Sequence, residues 1–405
     1  LFSRDDIIGF VTDIRATRVI LGMMDGRRPG RSIVDTSDFK TAMASIEPPE
    51  DGLGFVRIAL MQKQIRDFFN AALSRAGDDR GIVHFKQLMF KALAHTDFVD
   101  NIALSRSTNG LRETWHKAIK LRKNYRKLPL ARAFTQRKKF EAFDRFVPRE
   151  AKGFSASTFV DLGLVYDTII NFIRNEIPDE GPKLLQGWEQ IQHETLGIDF
   201  NRDIFSWLSG EFIIVNLPTM TEAEVNSVAF IRVKDAELAR KKVAAALDWV
   251  AIHGQTAQVM ITPAPEVEAK GFRAAFHPML AIMRAKPVVG IYEDWLVVGS
   301  SPQAVNKCIA TSKGLRASIR KNARFREEGL PIRPDVNWVS FADQSRLGES
   351  LAAGCMMANM FSGMSADTPE LQLVFRIASR LAPVFSQLNF FESTATSFSL
   401  NGDVG

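Results

Sequence analysis

The sequence predicts an α+β protein made of two related repeats, each a mainly antiparallel sheet with helices packed on one face. Short alternating apolar segments bounded by Gly, Pro, Asn and Asp are typical of antiparallel strands, and amphipathic segments with helical spacing lie between them. The same order of elements also occurs twice, which indicates an internal repeat. A chain of 405 residues is long enough for two such units.

The first copy lies at the beginning of the chain. Thr12 or Asp13 is predicted to cap its first helix, and Pro48-Pro49 ends a short second helix. Asn109-Gly110, inside an alternating stretch, predicts a β-hairpin. In order, the predicted elements are a strand at 5–11, a helix from 13, a short helix at 36–43, a strand at 54–59, helices at 62–73 and 83–94, and the hairpin at 101–115.

The second copy is clearest at 291–341. A strand is predicted at 295–298, and Ser300 or Ser301 caps the next helix with Pro302 in its first turn. Upstream of it, Asp235 is predicted to cap a helix at 236–250. The remaining predicted elements are strands at 226–233, 258–261 and 287–291, a helix at 370–388, and an alternating strand at 389–403 that contains Asn401-Gly402.

Three segments follow from this comparison. Residues 1–116 are interpreted as the C-terminal half of the first repeat, residues 117–149 as a basic helical linker, and residues 150–405 as the complete second repeat. The first half of the second repeat has no counterpart before Leu1, so we expect an upstream part of the natural protein to precede this residue.

Four motifs of the second copy carry a family resemblance. They are Gly197-Ile198-Asp199, Leu208-Ser209-Gly210-Glu211, Val233-Lys234-Asp235 and the strand 296–300. In this order the motifs resemble the DUF3352-type proteins, which are large secreted or envelope-associated bacterial proteins. The resemblance is best from about 150 to 345 and looser from 1 to 116. It implies an α+β envelope protein with an N-terminal export signal, and it transfers no functional residues.

No catalytic, cofactor-binding or metal-binding residue is predicted. Cys308 and Cys355 are the only cysteines, which excludes a disulfide framework, and free buried thiols are expected. The six histidines have neither the i, i+4 spacing nor the clustering of a metal site. Gly299-Ser300-Ser301-Pro302 is interpreted as a helix cap rather than an anion cradle, because the matching position of the first copy is Thr12-Asp13.

One basic stretch is a candidate for contact with an anionic surface. A solvated helix face or linker is the commoner explanation of such a stretch, and Leu128-Pro129 argues against one long helix. The net charge of +6 permits weak attraction to anionic surfaces. The candidate residues are Lys120, Arg122, Lys123, Arg126, Lys127, Arg137, Lys138 and Lys139.

Three functional hypotheses remain. The first is a non-catalytic cell-envelope protein that acts through protein–protein surfaces, as a scaffold or a subunit of a larger assembly. The second is a binder or carrier of an apolar or lipid ligand, suggested by thirty Phe and thirteen Met residues. The third is an enzyme of unknown type. Protein partners and a lipid or anionic surface are the expected contacts, whereas nucleic acid and a small-molecule substrate are not expected.

Overall fold

The computed structural model describes most of the chain. The described residues are 2–4, 7–9, 18, 21–22, 25, 33–48, 50–74, 90–91, 94–95, 97–135, 140, 142–158, 160–177, 180–219, 226–254, 258–282, 285–332, 336–349, 351–352, 354–355, 380–387 and 392–400. The fold is α+β, as predicted, and every strand pair among these residues is antiparallel. The chain divides into two compact units, Leu1–Tyr125 and Arg126–Gly405.

Unit 1 contains a small hairpin and a three-stranded sheet of order β3-β4-β5. Thr36, predicted as the first residue of the short helix, caps helix α1 by accepting a hydrogen bond from the backbone N–H of Phe39. The elements of unit 1 are β1 (Phe2–Arg4), β2 (Ile7–Gly9), α1 (Ser37–Met43), β3 (Gly52–Arg57), α2 (Ile58–Ser74), β4 (Val99–Asn109) and β5 (Arg112–Leu121), with a 3₁₀ turn at Ile33–Asp35.

The predicted hairpin exists, but its loop is shifted by one residue. Asn109 pairs with Arg112 in the ladder, so the two loop residues are Gly110 and Leu111 rather than Asn109 and Gly110. Gly110 has φ +62°, and a glycine with positive φ at the first loop position is the requirement of a type II′ turn. The glycine therefore fixes the register of the longest strand pair in unit 1.

The three-stranded sheet has a covered inner face. Asn101, Ala103 and Ser105 of β4 alternate along the strand and are buried. Phe55, opposite Ala103 on β3, packs edge-to-face on Phe39 of α1 with ring centroids 5.3 Å apart. Since successive side chains of a strand point to opposite faces, the intervening residues lie on an outer face.

Unit 2 is built on a nine-stranded sheet of order β14-β13-β6-β7-β8-β12-β11-β10-β9. Its strands are β6 (Gly153–Ser157), β7 (Leu208–Asn216), β8 (Ser227–Val233), β9 (Met260–Pro263), β10 (Arg273–Phe276), β11 (Val288–Tyr292), β12 (Trp295–Gly299), β13 (Val336–Asp343) and β14 (Ser393–Ser399). Its helices are α3 (Pro129–Ala133), α4 (Leu162–Glu176), α5 (Gly181–Gln190), α6 (Ala236–His253), α7 (Pro278–Ile282), α8 (Pro302–Ser312) and α9 (Ala323–Glu327), with π-helical turns at Ile191–Leu196 and Phe200–Phe205.

Two helix caps of unit 2 confirm local predictions. The Asp235 carboxylate accepts hydrogen bonds from the backbone N–H groups of Glu237 and Leu238 at 2.9 and 3.0 Å, at the start of α6. Ser301, rather than Ser300, caps α8 by accepting the N–H of Ala304 at 3.1 Å. Each cap satisfies backbone donors that the first turn of a helix leaves without a partner.

Helices cover both faces of this sheet, which corrects the prediction of helices on one face. On β8, Phe230 belongs to the main core together with Val305 of α8, whereas its neighbour Ile231 packs in a second core with Ala239 of α6. Adjacent strand residues point to opposite faces, so α8 and α6 lie on opposite sides of the sheet. A sheet with two apolar faces needs cover on each of them.

The segment 117–149, predicted as a basic helical linker, is not helical at its start. Its first residues continue strand β5 to Leu121, and the division between the units falls after Tyr125. Its last residues belong to the main core of unit 2, where Phe143, Phe146 and Val147 are buried. The start of the segment is therefore a strand, and its last residues are part of the packed core of unit 2.

Some predictions fall outside the described residues or stay untested. The cap at Thr12 or Asp13, nearly all of the helix at 83–94 and most of the helix at 370–388 lie outside the described residues, as does Asn401-Gly402. The repeat relation between the two parts of the chain stays a prediction.

Candidate interaction surface

The half-buried Asp203 carboxylate of unit 2 has structural partners. Asp203 lies 3.0 Å from Arg202 and 2.6 Å from Lys242, and it accepts the backbone N–H of Asp199 at 2.8 Å. The hydrogen bond from Arg202, followed by that from Lys242, lowers the pKa of the Asp203 carboxyl well below its usual value. These contacts hold the π-helical turn and α6 together, which is a stabilising role.

The described residues contain no group of three or more His, Cys, Asp and Glu side chains that could hold a metal ion. Cys308 is fully buried in the main core, and burial raises the pKa of its thiol. A thiol in such surroundings is a poor nucleophile. Likewise, no helix within the described part of the chain is long and apolar enough to cross a membrane.

Two of the basic residues predicted as an anionic-surface contact are ion-paired within unit 1. The Lys120 ammonium lies 3.4 Å from Asp100 and 3.7 Å from Asp38, so acidic groups of the same unit balance its charge. Arg122 is ion-paired with Asp97 at 2.7 Å. Of the other candidates, Lys123, Arg126 and Lys127 are exposed, and Arg137, Lys138 and Lys139 lie outside the described residues.

A different surface of unit 1 is the strongest candidate for an interaction. Ile119, Ile102 and Val56 lie side by side on β5, β4 and β3, on the outer face of the sheet. Ile119 is 47% exposed and Val56 is 39% exposed. The outer face therefore presents an apolar row to solvent, whereas the inner face is covered.

Trp115 is the largest side chain on this outer face, and it is 47% exposed. The charged groups of Arg106 and Lys117 each lie 5.8 Å from the centre of its ring, within the range of a cation–π interaction. The Nε atom of Arg106 is also 2.8 Å from the Glu113 carboxylate, so the two side chains form an ion pair. The aromatic ring is thus held in place by its neighbours while one side of it stays accessible.

Strand β5 is an edge of the three-stranded sheet. Among the described residues, its ten residues pair only with β4, so one row of its backbone groups lacks a strand partner there. A long edge strand with exposed apolar side chains is a template for pairing with another strand. At the adjoining hairpin tip, Leu111 is fully exposed, with 107% of its reference surface accessible.

We define the outer β5 surface as Leu111, Glu113, Trp115, Lys117 and Ile119. The sequence did not reveal it, because residues from 117 onward were interpreted as a helical linker. The signal is nevertheless present. Every second residue from 113 to 119 is exposed, and the residues between them are partly buried, which is the period of a strand with one open face.

Comparison with known proteins finds no matching family model, no matching curated protein and no matching solved structure. The resemblance to the DUF3352-type proteins therefore stays a prediction.

Proposed function

We propose that this protein is a non-catalytic cell-envelope protein that acts through protein–protein surfaces, as a scaffold or a subunit of a larger assembly. The observation that carries the proposal is the outer β5 surface. It combines an open strand edge with an exposed tryptophan, and tryptophan is enriched among the residues that contribute most to binding at protein interfaces. The envelope location rests on the family resemblance alone.

The proposal is tested by hydroxyl-radical footprinting of the protein in intact producing cells and after purification at high dilution. If the outer β5 surface contacts a partner in the cell, Trp115 and Ile119 are labelled less in cells than in the dilute protein. Leu315, which is 74% exposed in unit 2, is the internal control for radical dose. Equal labelling of Trp115 in both samples, with a matched Leu315 signal, would refute the proposal.

A second candidate function, a carrier of an apolar or lipid ligand, is favoured by one feature of unit 2. Ile214 and Val298 lie on β7 and β12, on either side of Ala229, and point to the same face of the sheet. They are 40% and 39% exposed although their strands are central. Organic extraction of the freshly purified protein followed by mass spectrometry tests this function, and a lipid-free extract argues against it.

A further inference from the structure

We infer that the partner of the outer β5 surface is the same strand of a second copy, paired antiparallel about a two-fold axis at Trp115. This inference rests on the proposed function and specifies its partner. Two three-stranded sheets would then join into one continuous six-stranded sheet. The partner is identified by the self-complementary order of side chains along β5.

The geometry of antiparallel pairing restricts the possible registers. Residues directly opposite each other point to the same face of a sheet. A two-fold axis perpendicular to the sheet must therefore pass beside a residue of β5 that pairs with its own copy. The central choices are Trp115, His116 and Lys117.

The register centred on Trp115 is the most complementary. It places Glu113 opposite Lys117 of the second copy, and by symmetry this pair occurs twice. Trp115 faces its own copy, so two aromatic rings meet at the centre of the pair. Opposite charges and aromatic pairs across strands are the pairs that stabilise antiparallel sheets.

The other two registers lack this complementarity. A centre at Lys117 brings two ammonium groups face to face, and like charges directly opposite each other are destabilising. A centre at His116 puts Glu113 opposite Ile119, so the carboxylate gains no partner across the interface. Charge complementarity therefore selects the register at Trp115.

Cysteine pairs test the register directly, in the full chain with Cys355 replaced by Ser and the buried Cys308 retained. Opposite residues of antiparallel strands have Cα atoms roughly 4.5–5.5 Å apart, which is within the range for a disulfide. We expect mixed Arg112→Cys and Ala118→Cys proteins to form a crosslinked dimer under mild oxidation, because both residues lie within β5 and face each other in this register. Ala118→Cys alone should not crosslink, because its two copies would be offset by six residues, about 20 Å along the strand. Both variants keep Trp115, Glu113 and Lys117.

Charge reversal provides an independent test. Glu113→Lys and Lys117→Glu should each weaken self-association roughly tenfold or more, because each creates two like-charged pairs. An equimolar mixture of the two variants should recover it, since every cross-strand pair is again of opposite sign. Lys270→Glu, at an exposed position of unit 2, is the control and should leave association unchanged. Sedimentation velocity over a concentration series measures all four samples.

The outcomes separate this inference from the proposed function. The inference is overturned if the protein is a monomer at all concentrations. It is also overturned if a dimer forms that neither crosslinks in the mixed sample nor responds to the charge reversals. If Trp115 is nevertheless protected in cells, the proposed function stands with a strand of a different protein as the partner. If Trp115 is equally labelled in both footprinting samples, the proposed function fails, whatever the purified protein does.

Discussion

Replacing Phe146 with alanine should lower the free energy of unfolding of unit 2 by more than any substitution in a linker could. Phe146 lies in the segment that the sequence predicts as a spacer, yet it is fully buried. Its ring stacks on Phe230 of the central strand β8, with centroids 4.1 Å apart and planes at 9°. The Trp295 ring meets its edge at 5.3 Å, and the Arg145 guanidinium lies 5.2 Å from its centre.

The magnitude follows from these contacts. Phe→Ala in a core costs about 3–5 kcal/mol, from lost burial and from the cavity that remains. Aromatic pairs add about 0.5–1.5 kcal/mol each beyond burial, and Phe146 has two close partners. We therefore expect a loss near the upper end, about 4–5 kcal/mol. That is a large part of the 5–15 kcal/mol typical of a whole domain.

Native-state hydrogen exchange is the suitable assay, because the chain has two units and a single unfolding curve mixes them. The most protected amides of β8 report the opening of unit 2, and amides of β4 report unit 1 as an internal reference. Phe276→Ala is the matched control, since this phenylalanine is 45% exposed. A loss below about 1 kcal/mol for Phe146→Ala, equal to that of the control, would show that the segment is a spacer.

Two further predictions concern unit 2. Gly197 has φ +65°, and an added Cβ would lie 2.4 Å from the Trp249 Nε1 atom, so Gly197→Ala should lower the free energy of unfolding by about 2 kcal/mol or more. Gly271→Ala is the control and should cost about 1 kcal/mol, because φ is also positive there but an added Cβ meets no atom within 4 Å. Urea denaturation of the two variants measures both costs. The hydrogen bond from Arg202 lowers the pKa of Asp203, so the stability from this carboxylate is complete above the unfolded value of about 3.9 and is lost as the pH falls toward the folded value. Asp203→Asn should therefore flatten the stability curve below about pH 4, and an unchanged acid limb would contradict this role.

Local signals allowed much of the fold to be predicted. A cap such as Asp235 or Ser301 acts on N–H groups only two or three residues away, so the sequence alone contains both partners. The hairpin at Gly110 depends on one glycine and on alternation in its two flanking strands. The loop was misplaced by one residue because Asn-Gly and Gly-Leu loops both put Gly110 at positive φ.

Long-range packing explains the errors. Nothing in the periodicity of the segment around Phe146 predicts burial, because this segment has no regular structure and is buried by a sheet whose strands come from later in the chain. The sequence also did not indicate that this sheet has two apolar faces. Strand β8 alternates in burial, and an alternating strand is typical of a sheet with one solvated face, although its half-buried Ile231 packs on a second core.

The candidate site was missed for a related reason. Lys117 and Lys120 are equivalent in a count of basic residues. The strand geometry distinguishes them, because it directs their side chains to opposite faces of the sheet. Lys120 points to the inner face, where Asp38 and Asp100 compensate it, and Lys117 points outward beside Trp115. A run of charged residues can be assigned to one surface only when the secondary structure that carries it is known, because that structure decides which side chains share a face.

The strand order of unit 2 also has a consequence during biosynthesis. The Trp338 indole donates a hydrogen bond to the Ser155 hydroxyl at 2.9 Å across the β6–β13 pair, between residues 183 positions apart. At about 5–20 residues per second, roughly 10–40 s separate the synthesis of these two residues. During that interval the edge of β6 that pairs with β13 has no partner, and an unpaired strand edge is a site at which nascent chains aggregate.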